Sequence, residues 1–262
     1  MLDEDTAFLA LHLLPGVGPK RCKRLLERFA SASQILSASR NDLKDVVGAS
    51  VAKAIRDWEN LVDLDYELRS LEQAGGRIIT WHSELYPPML REIHAPPLVL
   101  SGLGEITRED HQALAVVGTR RMTRYGKSST RSLTFPLSQA GFTIVSGLAY
   151  GVDTEAHEAA LAAGGRTLAV LGSGLGHLYP RENRELAERI SQHGAVLSQF
   201  PFDTKPDPRL FPARNHIVSG MSRAVLVIVG GRRSGSMLTA DAALQQNRQV
   251  FALPGPVDRA AS

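Results

Sequence analysis

Two patterns of apolar and polar positions divide the chain. Up to about residue 70, apolar residues recur at the three- and four-residue spacing of helices. From residue 113 onward, short apolar runs rich in β-branched residues alternate with helical stretches. The predicted strands are 114–117, 142–145, 167–171, 195–198, 224–229 and 250–253, and the predicted helices are 126–140, 154–163, 181–192 and 236–246.

The alternation predicts a parallel sheet. Helical crossovers between apolar strands form right-handed βαβ units, which cover both faces of the sheet. Pro136 falls inside the first of these helices and is predicted to kink or split it. We therefore expect an α/β fold: a Rossmann-like, doubly wound, mostly parallel sheet in a domain over residues 75–262, with its core over 113–255.

The N-terminal segment predicts a small all-α domain of the helix-hairpin-helix (SAM-like) kind over residues 1–70. Two glycines within 15–20 separate two helical patterns, and residues 43–55 form a degenerate second copy. Such hairpins bind a phosphate backbone without reading sequence, which makes Lys20 and Lys23 secondary DNA-binding candidates. The alternative is a hairpin that serves only packing. It is slightly favoured, because residues 1–74 hold 10 Lys/Arg against 12 Asp/Glu.

Composition narrows the class of protein. A content of 43% hydrophobic and 22% charged residues is typical of a globular protein. The single cysteine, Cys22, excludes an internal disulfide and a multi-cysteine zinc site, and it fits a reducing, cytoplasmic location. No apolar run reaches the roughly 20 residues of a membrane span, and the acidic start lacks the basic segment of a signal peptide. A net charge of +3 permits a nucleic-acid partner without requiring one.

Sites in doubly wound sheets form where the strands end at their carboxyl edge. Glycine turns expose backbone N–H groups at a helix start, and guanidinium forks match phosphate oxygens, so basic glycine turns there predict an anion site. A surface turn with solvated arginines is an about equally favoured interpretation. The five loops at this edge are glycine-rich, basic or both: 118–121, 146–153, 172–183, 199–215 and 230–240.

Catalysis has little support in these loops. Asp153 is predicted to cap its helix, and His157, on the same helix face, to be structural. The glycines of 172–176 are interpreted as a turn rather than a dinucleotide site, because Pro180 interrupts before the helix. No Walker lysine, nucleophile elbow or metal-ligand cluster is present. The sequence therefore predicts no catalytic residue, no metal and no cofactor.

Five long motifs resemble those of the DNA-processing protein A (DprA/Smf) family and occur in that family's order. They are VGTRRMTRYG (117–126), IVSGLAYGVDTEAH (144–157), GGRTLAVLGSGLGHLYPRENREL (164–186), FPARNHIVSGMSRAVLVIV (211–229) and SGSMLTADAALQQNRQVFALPG (234–255). The resemblance implies a cytoplasmic homodimer, not an enzyme. It also implies a protein that binds single-stranded DNA during natural transformation, protects incoming strands and loads RecA recombinase.

The resemblance also implies residue roles. Arg120, Arg181 and Lys205 match the family's DNA-binding positions, and Arg214 is a fourth candidate that could instead be structural. Ser234–Ser236 form a phosphate nest at a helix start, although capping alone would explain these serines. The full set of candidate DNA-binding residues is Gly118, Thr119, Arg120, Arg121, Gly147, Arg181, Lys205, Arg214, Ser234, Gly235 and Ser236.

Two other functions stay open. A nucleotide-binding or nucleotide-cleaving enzyme on a related fold would use the same phosphate nests, with a carboxylate such as Asp153 aimed into the pocket. In a third interpretation, the hairpin domain is the main DNA contact and the sheet serves as a dimer platform. Single-strand binding also uses aromatic side chains that stack on bases, and at least half of five aromatics near the loops are expected to be buried. These are Tyr125, Tyr179, Phe200, Phe202 and Phe211.

Overall fold

The computed structural model describes residues 2–231 and 234–254, and the chain divides into two compact units. The helical unit comprises Met1–Tyr86 and Ala95–Ser101, and the sheet unit comprises Pro87–His94 and Gly102–Ser262. Residue 255, the predicted end of the sheet core, lies outside the described residues.

The helical unit contains seven helices in its described part. They are α1 (Glu4–Leu13), α2 (Pro19–Arg28), α3 (Ala32–Ser37), α4 (Arg40–Val47), α5 (Ala49–Arg56), α6 (Trp58–Leu61) and α7 (Leu64–Gln73). Strand β1 (Gly76–Thr80) follows, and the first three residues of β2 (Val99–Gly104) also belong to this unit. Among the buried side chains of its core are Leu9, Leu25, Ile35, Leu43 and Ile55.

Both predicted hairpins of the helical unit are confirmed. In the first, α2 begins with Pro19, whose missing N–H would have had no partner within the helix. In the second, Gly48 ends α4 and begins α5 with φ of +83°. A residue with a β-carbon would be strained in that left-handed conformation, so a glycine at this position allows the abrupt turn.

The sheet unit alternates strands and helices as predicted. Its elements are α8 (Pro88–Arg91), β3 (Ala113–Val117), α9 (Arg124–Gln139), β4 (Thr143–Ser146), α10 (Val152–Ala162), β5 (Thr167–Val170), α11 (Arg184–Gln192), β6 (Gly194–Ser198), α12 (Phe211–Gly220), β7 (Ala224–Val227), α13 (Gly235–Gln245) and β8 (Gln249–Ala252). Short 3-10 helices occupy Arg108–His111, Leu175–His177, Arg181–Asn183 and Pro208–Leu210.

Six strands of this unit lie in the order β6-β5-β4-β3-β7-β8. All five neighbouring pairs are parallel, and Ala115 of β3 pairs with Val145 of β4 and with Val225 of β7. The chain therefore starts in the middle, runs outward through β6 and then returns to the other side of β3. This reversal is the topological switch point of a doubly wound sheet, where ligands bind.

The split that Pro136 was expected to cause as one of two outcomes, and one predicted loop, differ from the structure. Pro136 does not split α9, which continues to Gln139. Because Pro136 stands in the last turn and is exposed, only one intrahelical hydrogen bond is lost there, at a solvent-accessible position. The second difference concerns 199–215, which was expected to be a strand-end loop throughout. Its last five residues form the start of α12, where Pro212 is tolerated in the first turn.

Candidate nucleic-acid interface

A cavity of about 640 Å³ lies at the switch point of the sheet unit. The loop after β3, the loop after β4, α12 and the start of α13 all contribute to its wall. We call it the main cavity. Eight of the predicted DNA-binding residues line it: Gly118, Thr119, Arg120, Gly147, Arg214, Ser234, Gly235 and Ser236.

The turn after β3 is rigid because its backbone is held on two sides. The Thr119 N–H donates to the Val229 carbonyl at 2.7 Å, and the Val152 N–H donates to the Thr119 carbonyl at 3.2 Å. A β-carbon on Gly118 would lie 2.6 Å from the Val152 side chain, so only glycine fits between the turn and α10. The turn thereby holds Arg120 at the cavity.

Arg120 is exposed, and its guanidinium carbon lies 5.1 Å above the centre of the Phe211 ring. This distance is typical of a cation–π contact, which holds the charge at the rim without neutralising it. Arg121 is also exposed but does not line the main cavity, and its N–H donates to the Thr119 hydroxyl at 3.1 Å.

Arg214 is buried, with 4% of its surface exposed. Its Nη1 donates to the carbonyls of Gly147 and Val170, the latter at 2.8 Å. Gly147 is buried as well, and a β-carbon there would collide with the guanidinium. Arg214 therefore has a structural role in this fold, joining the ends of β4 and β5 beneath the main cavity.

Asp153 lines the main cavity and is the electrostatic partner of Arg214. Burial raises the pKa of its carboxyl, and the Arg214 guanidinium only partly opposes that shift. Its Oδ2 accepts from the N–H groups of Gly147 at 3.1 Å and Ala149 at 3.4 Å. The predicted helix cap is therefore wrong in detail: the N-cap residue is Gly151, and Asp153 stabilises the loop that precedes its own helix.

His157 is structural, as predicted. The Thr167 hydroxyl donates to the Ile144 carbonyl at 2.8 Å, so it accepts from the Nδ1–H of His157 at 2.7 Å. Complete burial lowers the pKa of the imidazole to about 3, which keeps it neutral. Its Nε2 is buried and has no hydrogen-bond partner in the described part of the chain.

A second hollow of about 440 Å³ adjoins the main cavity and shares Tyr179 and Pro206 with it. We call it the side hollow. Arg181 lines it and is exposed, and Lys205, also exposed, directly precedes the shared Pro206. The loops after β3, β5 and β6 thus bring Arg120, Arg181 and Lys205 to one edge of the sheet. We refer to these three residues as the cationic track.

The aromatic residues near the loops are more accessible than expected. None of the five is buried: Tyr125 and Tyr179 are exposed, and the three phenylalanines are half-buried. The expectation that at least half are buried is therefore wrong. Phe211 and Tyr179 stand 6.3 Å apart at an interplanar angle of 56°, so they form an apolar wall between the main cavity and the side hollow.

Other apolar residues that line the main cavity were not predicted from the sequence. Val218 of α12, Leu238 of α13 and Pro208 line the main cavity beside Phe211. Because 211–215 was expected to belong to a loop and no helix was predicted for the rest of α12, the inward face of this helix was not predicted. The signal that was available is Pro212, because a proline at a first helical position marks a helix start.

Ser234 and Ser236 lie at the start of α13 and line the main cavity. Their hydroxyl oxygens are 2.7 Å apart, and Ser234, the N-cap residue, makes no side-chain capping hydrogen bond. The hydroxyl groups and the helix N-terminus therefore form a polar corner of the main cavity. Residues 232 and 233 of the same predicted loop lie outside the described residues.

Lys20 and Lys23 belong to the helical unit and are exposed on α2. They do not line the main cavity. The hairpin before them is held by Arg21, whose Nη1 donates to the Gly16 carbonyl at 2.7 Å.

Neither a metal cluster nor a membrane span occurs among residues 2–231 and 234–254. No three or more histidine, cysteine or acidic side chains of this part of the chain are grouped to hold a metal ion. No helix in it is long and apolar enough to cross a bilayer.

Fold and site together define a Rossmann-like α/β protein with a partly apolar cavity and basic residues at its switch point. Residues 77–262 match the family described as DNA recombination-mediator protein A, and residues 8–57 match the SAM-like helix-hairpin-helix tandem. The chain belongs to the DNA recombination-mediator protein A family.

Relatives with similar sequences carry related names. The chain is 40% identical to Protein Smf of Synechocystis over 97% of its own length and 66% of that protein. It is 43% identical to DNA processing protein DprA of Bacillus subtilis, over 72% of this chain and 64% of that one. Protein Smf of Escherichia coli is 45% identical, over 71% and 50%. The chain thus spans between half and two thirds of the length of these curated relatives.

Two solved structures are similar as well. The X-ray structure of DprA from Streptococcus pneumoniae superposes with a TM-score of 0.87 at 30% identity, covering 100% of this chain and 90% of that one. A structure described as showing the single-stranded DNA binding mode of DNA processing protein A from Helicobacter pylori has a TM-score of 0.62 at 32% identity. It covers 69% of this chain and 85% of that one.

Proposed function

We propose that this chain binds single-stranded DNA at the carboxyl edge of its sheet. The observation that carries the proposal is the main cavity, which combines an exposed arginine, a polar corner and an apolar wall at the switch point. Arg120, Arg181 and Lys205 contact phosphates, and unpaired bases lie against the wall formed by Phe211 and Tyr179.

The physics of this site suits an unpaired strand of any sequence. Each basic side chain that meets a phosphate releases condensed counterions, which contributes affinity independent of sequence. Apolar and aromatic surface then accepts base faces that a duplex keeps stacked, so it favours single strands over duplex. Gly118, Thr119, Ser234, Gly235 and Ser236 add backbone N–H and hydroxyl donors for a phosphate that enters the main cavity.

Five other candidates have narrower roles. Arg121 adds positive charge to the exposed surface beside the turn. Gly147 and Arg214 form the floor of the main cavity. Lys20 and Lys23 provide a secondary contact through the first hairpin, as such hairpins do for a phosphate backbone.

The wider role we propose follows the family. The chain acts in the cytoplasm during natural transformation, as a homodimer that protects incoming single strands and loads RecA recombinase onto them. It does so without turnover, cofactor or metal. Family membership and the single-stranded DNA binding mode of the Helicobacter pylori protein support the DNA part of this role.

One observation favours a second function, a nucleotide-cleaving enzyme. Asp153 is a buried carboxyl that lines the main cavity, and burial raises its pKa, as in many general acids. Its Oδ2, however, already accepts two loop N–H groups. Incubation with a panel of nucleoside monophosphates separates the two functions: release of free base that is lost in Asp153→Asn would establish the enzyme.

The proposed function is tested by comparing matched single- and double-stranded oligonucleotides in fluorescence anisotropy at two salt concentrations. We expect tighter binding of the single strand and a clear weakening at the higher salt. Equal affinity for both strands, or no salt dependence, would contradict the proposal. Phosphate contacts require the salt dependence, and base contacts require the preference for the single strand.

A further inference from the structure

Tyr150 is an exposed aromatic residue next to the main cavity in sequence, and a hydrogen bond joins it to the loop that lines the side hollow. It stands in the loop after β4, directly after Ala149, which lines the main cavity. Of its surface, 39% is exposed. Its hydroxyl donates to Oε2 of Glu182 at 2.5 Å, and Glu182 directly follows Arg181.

A second contact fixes the same two loops together. Asn183, the residue after Glu182, is buried, and its Nδ2 donates to the Leu148 carbonyl at 2.8 Å and to the Thr154 hydroxyl at 2.9 Å. Two consecutive residues after Arg181 therefore hold the loop that carries Tyr150. The junction therefore joins a residue beside the main cavity, Ala149, to a residue of the side hollow, Arg181.

The contact with Glu182 also favours the neutral phenol and the charged carboxylate. The hydrogen bond raises the pKa of the Tyr150 phenol to about 12 and lowers the pKa of the Glu182 carboxyl. Tyr150 is thus a neutral ring held by a charged acceptor, and the nearby phenol of Tyr179 adds a smaller contribution to its shift. The hydrogen bond holds the hydroxyl end of this neutral ring, while 39% of the residue's surface stays exposed to solvent.

We propose that Tyr150 is a stacking platform for one unpaired nucleobase of the bound strand, and that Glu182 positions its ring. The inference rests on the proposed single-strand binding and adds a base subsite outside the main cavity. Stacking suits this position because every base offers a π-face, so the contact requires no particular sequence. Holding the ring beforehand reduces the rotational freedom that would otherwise be lost on binding.

Glu182 is expected to affect DNA binding in two opposite ways: it positions the Tyr150 ring, and its charge repels phosphate. Its carboxylate lies beside Arg181 in sequence and adds negative charge where a phosphate is expected. Removing that charge strengthens phosphate binding, whereas removing the acceptor frees the ring. The two effects can be separated, because glutamine keeps an acceptor oxygen without the charge and alanine keeps neither.

The platform is tested with the full chain and two oligonucleotides: a thymidine strand, and the same strand with a run of abasic sites. Tyr150→Ala is expected to weaken binding of the thymidine strand about five- to a hundredfold, the range for loss of one stacked base. On the abasic strand the loss is expected to be less than twofold. Tyr66→Ala, at an equally exposed tyrosine of the helical unit, serves as the control and should leave both affinities unchanged.

The positioning role has its own comparison. Glu182→Gln is expected to bind the thymidine strand about twofold more tightly than Glu182→Ala, and this difference should vanish when Tyr150 is also alanine. Equal affinities of the two Glu182 variants would overturn the positioning role.

The outcomes distinguish the platform from the function on which it rests. If Tyr150→Ala weakens both strands equally, or neither, while Arg120→Ala still reduces affinity, the platform is wrong and single-strand binding stands. If wild-type protein binds neither strand, the proposed function itself fails.

Discussion

The two units of this chain use the same local device with different results. Both place basic residues shortly after a glycine turn that precedes a helix: Lys20 and Lys23 after Gly18 in the helical unit, and Arg120 after Gly118 in the sheet unit. The surroundings differ in charge. The helical unit holds 11 Lys/Arg against 13 Asp/Glu, whereas the sheet unit holds 19 against 14.

Topology makes the larger difference. A hairpin of two helices presents one turn and its neighbours, so its basic residues act locally. A parallel sheet brings the carboxyl ends of all its strands to one edge, so turns distant in sequence meet there. This is why Arg120, Arg181 and Lys205 share one surface although 85 positions separate the first from the last. A basic glycine turn therefore becomes part of a larger anion-binding surface only where the fold brings other such turns beside it.

The largest expected effect concerns the buried guanidinium of Arg214 in the sheet unit. Arg214→Ala should lower the free energy of unfolding by about 3–5 kcal/mol, because it leaves Asp153 as an uncompensated buried carboxylate. Arg56→Ala in the helical unit is the matched control. Its guanidinium also donates to two carbonyls, of Leu36 and Ala38, but it is exposed, so a change of about 0.5 kcal/mol is expected. Urea denaturation measures both, and equal losses would remove this distinction.

The next effect is a dependence of stability on pH that arises in the sheet unit. The pKa of His157 is about 3 in the folded protein against 6.5 as a free side chain. Below pH 6.5 the unfolded chain takes up a proton that the folded chain does not, so stability falls as the pH drops, down to about 3. The loss is about 1.4 kcal/mol per pH unit, hence roughly 3 kcal/mol at pH 4.5.

A comparison of stability profiles tests this assignment. His157→Gln should have a flatter stability profile between pH 6.5 and 4.5, whatever its absolute stability. The difference between the two proteins isolates the histidine from Asp153, whose raised pKa acts in the opposite direction. Identical slopes for both proteins would contradict the role of His157.

The pattern of apolar and polar positions was sufficient to predict the strands of the sheet, but it was not sufficient to predict the shape of the main cavity. Apolar runs such as 114–117 have one stable arrangement between helices, so strand positions agree with the structure to within two residues. The inward wall of α12 has no such pattern, because its helix buries both polar and apolar residues, Asn215 and Ser219 among them. The buried state of Arg214 was equally hidden, since its partners are backbone carbonyls, which no residue type reveals.

The third effect concerns the cationic track in binding. Replacing Arg120, Arg181 and Lys205 together with alanine should flatten the log–log salt dependence of single-strand binding by roughly two units, at about 0.7 per phosphate contact. If the lost contacts become negligible near 1 M salt, affinity at about 0.1 M falls roughly a hundredfold. The loss should be the same for all base sequences.

Folding of the triple variant has to be checked first. All three side chains are exposed, so its melting temperature should stay within a few degrees of the wild type. A folded triple variant with unchanged affinity and salt dependence would remove the track from the site.

The smallest expected effect is that of the first hairpin, and it decides the comparison between the units. Changing Lys20 and Lys23 to alanine should reduce single-strand affinity less than threefold and alter the salt dependence by less than about 0.7, the value of one contact. Both side chains are exposed. The acidic majority of the same unit, however, opposes the approach of a polyanion within a Debye length of about 10 Å. The same oligonucleotides and salt series that serve the triple variant measure this one. A loss as large as that of the triple variant would reverse the assignment, making the hairpin the main DNA contact and leaving the sheet unit as a platform for association.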